Sequence, residues 1–225
     1  MSQDMVSRGG VALAVSLNIV NAFNTIPWDE ILEAFEFFEV SPYIIRVIRA
    51  YLSDRWVGYT DKEGEGRWPV ERGFPQGSVL GLILWIIGYD AVLRCPMPPD
   101  SGMVCYAYDT LILAGGRWWH ETPRHGELAA AWMIRTIRRL GLEVSSAKSE
   151  AIWFHDYRRR GTRPPDLCLD ISGEEVQVKL QMKYLSLTIR TTLQTPGSQS
   201  DDDSQRSMWT AAEYRWGRNR SAPTV

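Results

Sequence analysis

At 225 residues the chain has room for one domain, or for one domain and a tail. Its 44% hydrophobic content supports a sizeable core, and 23% charged residues is ordinary for a soluble globular protein. A net charge of −2 lacks the basic excess of a free-standing nucleic-acid binder. Cys95, Cys105 and Cys168 are isolated and odd in number, so free buried thiols in a reducing compartment are expected rather than disulfides or zinc.

In chain order, Val11 to Leu17 is an apolar run of strand length, the kind buried on both faces. Trp28 to Phe38 has the periodicity of a helix opened by Pro27. Ser41-Pro42 starts a second helix, with Ile44, Ile45, Val47, Ile48, Tyr51 and Leu52 expected to face inward. Arg55–Thr60 and Arg67–Arg72 read as a hairpin across a polar, Gly-containing turn. Leu80–Leu93 is a strongly apolar helix, and the overlapping apolar run Val79–Ile87 is too short to span a membrane.

Met103–Ala107 and Thr110–Ala114 form a second hairpin, then Glu127–Leu140 is helical and stops at Gly141. His120 and His125 flank a Pro and read as loop residues. Leu142–Val144, Glu150–Phe154, Leu167–Ile171, Glu175–Val178 and Tyr184–Ile189 are short strand candidates. Trp28, Trp56, Trp68, Trp85, Trp118, Trp119 and Trp153 lie in or beside apolar segments and are expected in the core or at its rim. Residues 191–225 are expected to be a low-complexity, mostly disordered tail in which Asp201–Asp203 are solvated. With no signal-peptide pattern at the N-terminus, a soluble intracellular protein without membrane contact is expected, and no oligomer is evident.

Two stretches carry the chemistry. Tyr106-Ala107-Tyr108-Asp109 sits at the hairpin tip, where an Asp is ordinarily only a turn residue. Upstream lies Gly73-Phe74-Pro75-Gln76-Gly77-Ser78-Val79-Leu80-Gly81. With Leu17-Asn18-Ile19-Val20-Asn21-Ala22-Phe23-Asn24-Thr25-Ile26-Pro27-Trp28, Gly141–Glu150 and Lys183-Tyr184-Leu185-Ser186-Leu187, these make five ordered segments. Together they resemble the palm of a reverse transcriptase (RNA-directed DNA polymerase), in the form seen in arthropod non-LTR, LINE-type retrotransposons.

The resemblance implies an α+β fold: a palm-like antiparallel sheet with helices packed on one face, over residues 1–190, with fingers and thumb incomplete or missing. It implies template-directed nucleotidyl transfer with two divalent ions, Mg²⁺ or Mn²⁺, which clamp the attacking and leaving oxygens about 4 Å apart. An RNA template and a DNA primer would be the partners. Phe23 would screen the sugar 2′ position, Gln76, Gly77 and Ser78 would lie along template and nucleotide, and Lys148 would lie near the triphosphate.

The metal carboxylates are where this chain departs. Asn18 and Tyr108 stand at two positions where the family has Asp, leaving Asp109 as the sole surviving carboxylate. Asn offers one neutral carbonyl oxygen, and a Tyr phenol is protonated near neutral pH. Leu82 and Ser186 replace a family Pro and Gly, and Val20 replaces a common Lys. Asp90, late on the apolar helix, is expected to cap or face solvent rather than bind metal. The expected function is a catalytically inactive reverse transcriptase palm. The alternative is a non-enzymatic module that binds RNA or an RNA–DNA hybrid through the palm surface and the basic run Arg158, Arg159, Arg160 and Arg163.

Overall fold

The computed structural model describes residues 6, 9–75, 77–156 and 164–191. Gln76, the basic run at 158–163 and the segment 192–225 therefore lie outside the described residues. The described elements are β1 (Val11–Ile19), α1 (Ala22–Thr25), α2 (Trp28–Phe37), α3 (Pro42–Leu52), β2 (Arg55–Asp61), β3 (Gly64–Val70) and α4 (Val79–Leu93). They continue with β4 (Ser101–Tyr106), β5 (Asp109–Gly116), α5 (Thr122–Arg139), β6 (Val144–His155), β7 (Cys168–Ile171), β8 (Glu174–Lys179), β9 (Gln181–Tyr184) and β10 (Leu187–Arg190). The fold is α+β, as the sequence implies, with a six-stranded, mainly antiparallel sheet in the order β4-β5-β1-β6-β8-β7. Within it β4–β5 and β7–β8 pair antiparallel, while β8 runs parallel to β6. The hairpins β2–β3 and β9–β10 stand as separate two-stranded sheets.

The chain divides into two compact units, one holding the segments up to Leu17, Met97–Trp132 and Ser146 onward, the other Asn18–Pro96 and Met133–Ser145. In the first, Val11 to Val15 are all buried because both faces of β1 are covered. Ala12 and Ala14 share a core with Leu111, Leu113, Ile152, Phe154, Met182, Tyr184 and Ile189. Leu13 points the other way: a Cβ added at Gly126 of α5 would stand 2.6 Å from its Cδ2, so glycine lets the helix lie close on the strand. In the second unit α2 packs on α4 and α3. No helix among the described residues is long and apolar enough to cross a membrane.

Several sequence expectations are corrected. On α3 only Ile48 and Leu52 are buried, while Ile44 and Val47 are exposed. Trp85 and Trp153 are buried, but Trp56, Trp68 and Trp118 are exposed. None of the three cysteines is in a disulfide, yet Cys168 is exposed and Cys95 and Cys105 are only half-buried. His125 belongs to α5, with Nδ1 2.7 Å from the Gly115 carbonyl oxygen. The two candidate strands at 142–154 form one continuous strand, β6, whereas 184–189 splits into β9 and β10 around Leu185 and Ser186, both with positive φ. Thr191, placed in the tail by composition, is buried, and its amide and hydroxyl both donate to the Leu180 carbonyl at 2.9 Å.

Candidate functional site

In the second unit, β1 ends at Ile19 and the chain turns through Asn21, whose φ of 46° lies in the left-handed region that Asn tolerates. Thr25 Oγ1 donates back to the Asn21 carbonyl at 3.1 Å and closes this short turn. Phe23 is thereby delivered onto Trp85, edge to face at 5.1 Å between centroids, and onto Phe74 at 5.7 Å. Trp85 stacks in turn on Tyr89 at 4.8 Å. Phe23 is half-buried, so one part of its ring packs while the rest stays accessible.

The Pro-Gln-Gly loop is sewn to this turn through main chain. The Phe74 amide donates to the Phe23 carbonyl at 3.0 Å and the Gly73 amide to the Ile26 carbonyl at 2.8 Å. Trp28 Nε1 donates to the Gly73 carbonyl at 2.7 Å. Gly73 has φ +67°, and a Cβ there would stand 2.5 Å from Asn24 Cα and the Phe23 carbonyl oxygen. Gly77 also has positive φ (+83°), with no atom within 4 Å of an added Cβ, so its surface is open to an approaching ligand. Ser78 caps α4: its Oγ accepts from the Gly81 amide at 2.9 Å. The structure thus brings Phe23, Gly77 and Ser78 onto one bonded loop pair, and gives Ser78 a structural task that sequence did not assign to it.

In the first unit, Tyr106 and Asp109 are the paired ends of the β4–β5 hairpin, and Ala107-Tyr108 form the turn. Ala107 has φ 51°, which glycine takes without strain. Tyr108 is 37% exposed. Burial raises the Asp109 carboxyl above its ordinary range, so the charged form is disfavoured where it stands. Beneath the hairpin, the Tyr184 hydroxyl donates to the Asp109 carbonyl at 3.4 Å. Its phenol is pushed well above its usual value by burial, with Cys105 and Asp109 adding to the effect.

Tyr184 lies in the fifth motif, but no spacing in the sequence reveals that it props the third. Lys148 is exposed on β6, two strands from β5 in the sheet order. Its neighbour Glu150 accepts from Lys179 Nζ at 2.6 Å and from the Lys183 amide at 3.2 Å. Burial would raise the Glu150 carboxyl, but these bonds outweigh it and hold the group below its usual range.

Asn18, the penultimate residue of β1, is half-buried. Asp90 is committed to an ion pair with Arg94, one turn along α4. Among the described residues no group of three or more His, Cys, Asp or Glu side chains could hold a metal ion. A separate cleft of about 490 Å³ in the first unit is lined by Arg117, Trp118, His120, Glu121, Arg124 and His125.

The family signature described as "Reverse transcriptase (RNA-dependent DNA polymerase)" matches residues 2–189. The chain is 23% identical over 177 residues to a "Retrovirus-related Pol polyprotein from type-1 retrotransposable element R1" of Bradysia coprophila, covering 79% of this chain and 17% of that protein. It is 26% identical over 220 residues to a "Probable RNA-directed DNA polymerase from transposon BS" of Drosophila melanogaster, covering 93% of this chain and 23% of that protein. The chain thus spans about a fifth of the length of these relatives.

Among solved structures, apo telomerase from Candida tropicalis truncated from its C-terminal domain superposes with a TM-score of 0.58 at 14% identity, over 84% of this chain and 36% of the other. Telomerase from the same yeast, in complex with a TWJ fragment of telomeric RNA, gives 0.54 at 13% identity, over 90% of this chain and 32% of the other. These likenesses describe the fold: the palm-like arrangement read from the sequence is shared with them.

Proposed function

Because the chain belongs to the reverse transcriptase (RNA-dependent DNA polymerase) family, we propose that it is a palm that keeps the nucleotide-facing scaffold of such a polymerase without its catalysis. The observation that carries this reading is the donor set. Of the three positions that the family equips with carboxylates, Asn18 supplies a neutral amide, Tyr108 a bulky phenol in place of a carboxylate, and Asp109 a carboxyl whose charge is disfavoured by burial.

A pair of Mg²⁺ ions demands hard, charged oxygen ligands, and this set does not fit that demand. Metal coordination contributes several kcal/mol of transition-state stabilisation; a loss of ~4 kcal/mol slows a reaction roughly a thousandfold. No catalytic step is therefore assigned to Asp109. The retained scaffold is the turn at Phe23 and the loop at Gly77, which together present an aromatic face and an open main chain.

Primer extension on a homopolymer RNA template with Mg²⁺ or Mn²⁺ tests the reading. No extension above a protein-free control is expected. Extension that Asp109→Ala abolishes overturns it.

A second reading, a non-enzymatic module that binds RNA, draws support from the cleft at Arg117 and Arg124. There the Arg117 guanidinium stands 5.3 Å from the ring centroid of Trp118, which is 46% exposed, and Arg124 lines the same cleft together with Glu121. Cations beside an exposed aromatic suit a single strand, with phosphate on the charges and a base on the ring.

A further inference from the structure

The hairpin β2–β3 exposes an unusual amount of apolar surface. Trp56, Val57, Tyr59 and Trp68 are exposed by 59, 55, 46 and 67%. Neither strand pairs with any other among the described residues. A two-stranded ribbon of this kind is marginal in water by itself; Val57, Tyr59 and Trp68 share one of its faces and Trp56 lies on the other, and exposed apolar surface of this extent marks an interaction site. The chemistry of the partner follows from charge. Over residues 55–72 the positive residues Arg55, Lys62, Arg67 and Arg72 are balanced by Asp61, Glu63, Glu65 and Glu71. A surface without positive excess does not attract a phosphate backbone, so the partner is protein.

The two edges of the ribbon differ. Pro69 in β3 has no N–H, and it stays in the ladder only where that missing donor would point away from β2. The register pairs Pro69 with Trp56, so the main-chain groups of Trp56 also point away from β3. By the period of two, so do those of Gly58 and Thr60. The outer edge of β3 thus presents Glu65, Arg67 and the donorless Pro69, the charge and proline devices that blunt an edge. The outer edge of β2 presents Trp56, Gly58 and Thr60, uncharged and with every donor and acceptor in place. Nothing lies within 4 Å of where a Gly58 Cβ would stand.

We propose that β2 is a self-association strand, through which two copies of this chain pair antiparallel about Gly58. In that register Gly58 opposes Gly58 of the second copy and Trp56 opposes Thr60, so each outward N–H meets an outward C=O. Val57 opposes Tyr59, an aliphatic–aromatic cross-strand pair. Arg55 opposes Asp61 at both ends, which makes the seven-residue strand complementary in charge to itself. It is the one antiparallel register that pairs all seven residues and both charges. The contact is isologous and closes as a dimer rather than propagating as a fibre. It is independent of catalysis.

Sedimentation of the full chain over a range of concentrations tests it. A reversible monomer–dimer equilibrium is expected. Gly58→Pro, which removes one outward donor in the geometry Pro69 already tolerates, should weaken dimerisation at least tenfold while leaving the circular dichroism spectrum unchanged. Arg55→Asp, which sets like charges opposite Asp61, should weaken it as well. Adding Asp61→Arg should recover part of the loss even though Asp61 Oδ1 also accepts from the Glu63 and Gly64 amides at 2.8 and 3.1 Å. A wild-type chain that stays monomeric, a dimer that survives Gly58→Pro, or a charge swap that recovers nothing overturns the proposal.

Discussion

Asp109 holds its negative charge in a place that disfavours it. Its native carboxyl titrates above its unfolded value, so the native state binds the proton more tightly than the unfolded chain does. Stability therefore falls as pH rises from the unfolded pKa through the folded one, and above that range the whole penalty is present. Asp109→Asn removes the charge and keeps the shape. The variant should melt at a higher temperature than wild type at pH 7, and the gap should close as both are taken down through the carboxylate range. A wild-type protein that is the more stable at pH 7 would show that the carboxylate has a partner that favours its charge. Sequence alone points to Asp109 as the surviving carboxylate. It does not reveal the desolvation, which burial in the folded chain imposes.

At the scale of elements, the turn after β1 and the loop before α4 form one object held by amide–carbonyl bonds. Gly73 is its narrowest point, with positive φ and backbone on the side where a Cβ would go. Gly73→Ala should cost at least about 2 kcal/mol, because a left-handed alanine is strained and its methyl meets main chain that cannot swing aside. Urea denaturation measures the loss, with Gly77→Ala as a comparison that bears the φ strain alone. This scale was the most legible in the sequence: alternation and turn residues locate β4–β5 and β2–β3 to within a residue or two at most ends. The strand candidate at 184–189 ran across the β9–β10 turn because Leu185 and Ser186 hold positive φ with no glycine at either position, although the resemblance places a family Gly at Ser186. The inward face assigned to α3 was wrong because an apolar stripe predicts burial only if something covers it, and Ile44 and Val47 are left exposed. The contacts of Phe23 with Trp85 and of Tyr184 with Asp109 join residues 62 and 75 apart in the chain, beyond the reach of local periodicity.

For the molecule as a whole, a net charge of −2 sets the terms on which it meets a polyanion. Long-range attraction is weak, so any binding of single-stranded RNA rests on local contacts and falls steeply with salt. If Arg117 and Arg124 each neutralise one phosphate, replacing both with Ala should flatten the slope of log K against log salt by about 1.4. Fluorescence anisotropy of a labelled oligonucleotide, titrated at several salt concentrations, measures that slope; no change would remove the cleft as the binding surface. If this palm has lost its catalysis, as proposed above, its chemistry and its scaffold have had separate fates. On that reading each metal ligand is a side chain that one codon change removes, and Asn18 and Tyr108 mark two such changes. The bonds from Phe74 to Phe23 and from Gly73 to Ile26 run between peptide groups, which no substitution except proline deletes. Mutation can strip such a protein of its reaction long before it loosens the seam that once positioned the reactants, so the shape of the loop is the slowest clock it carries.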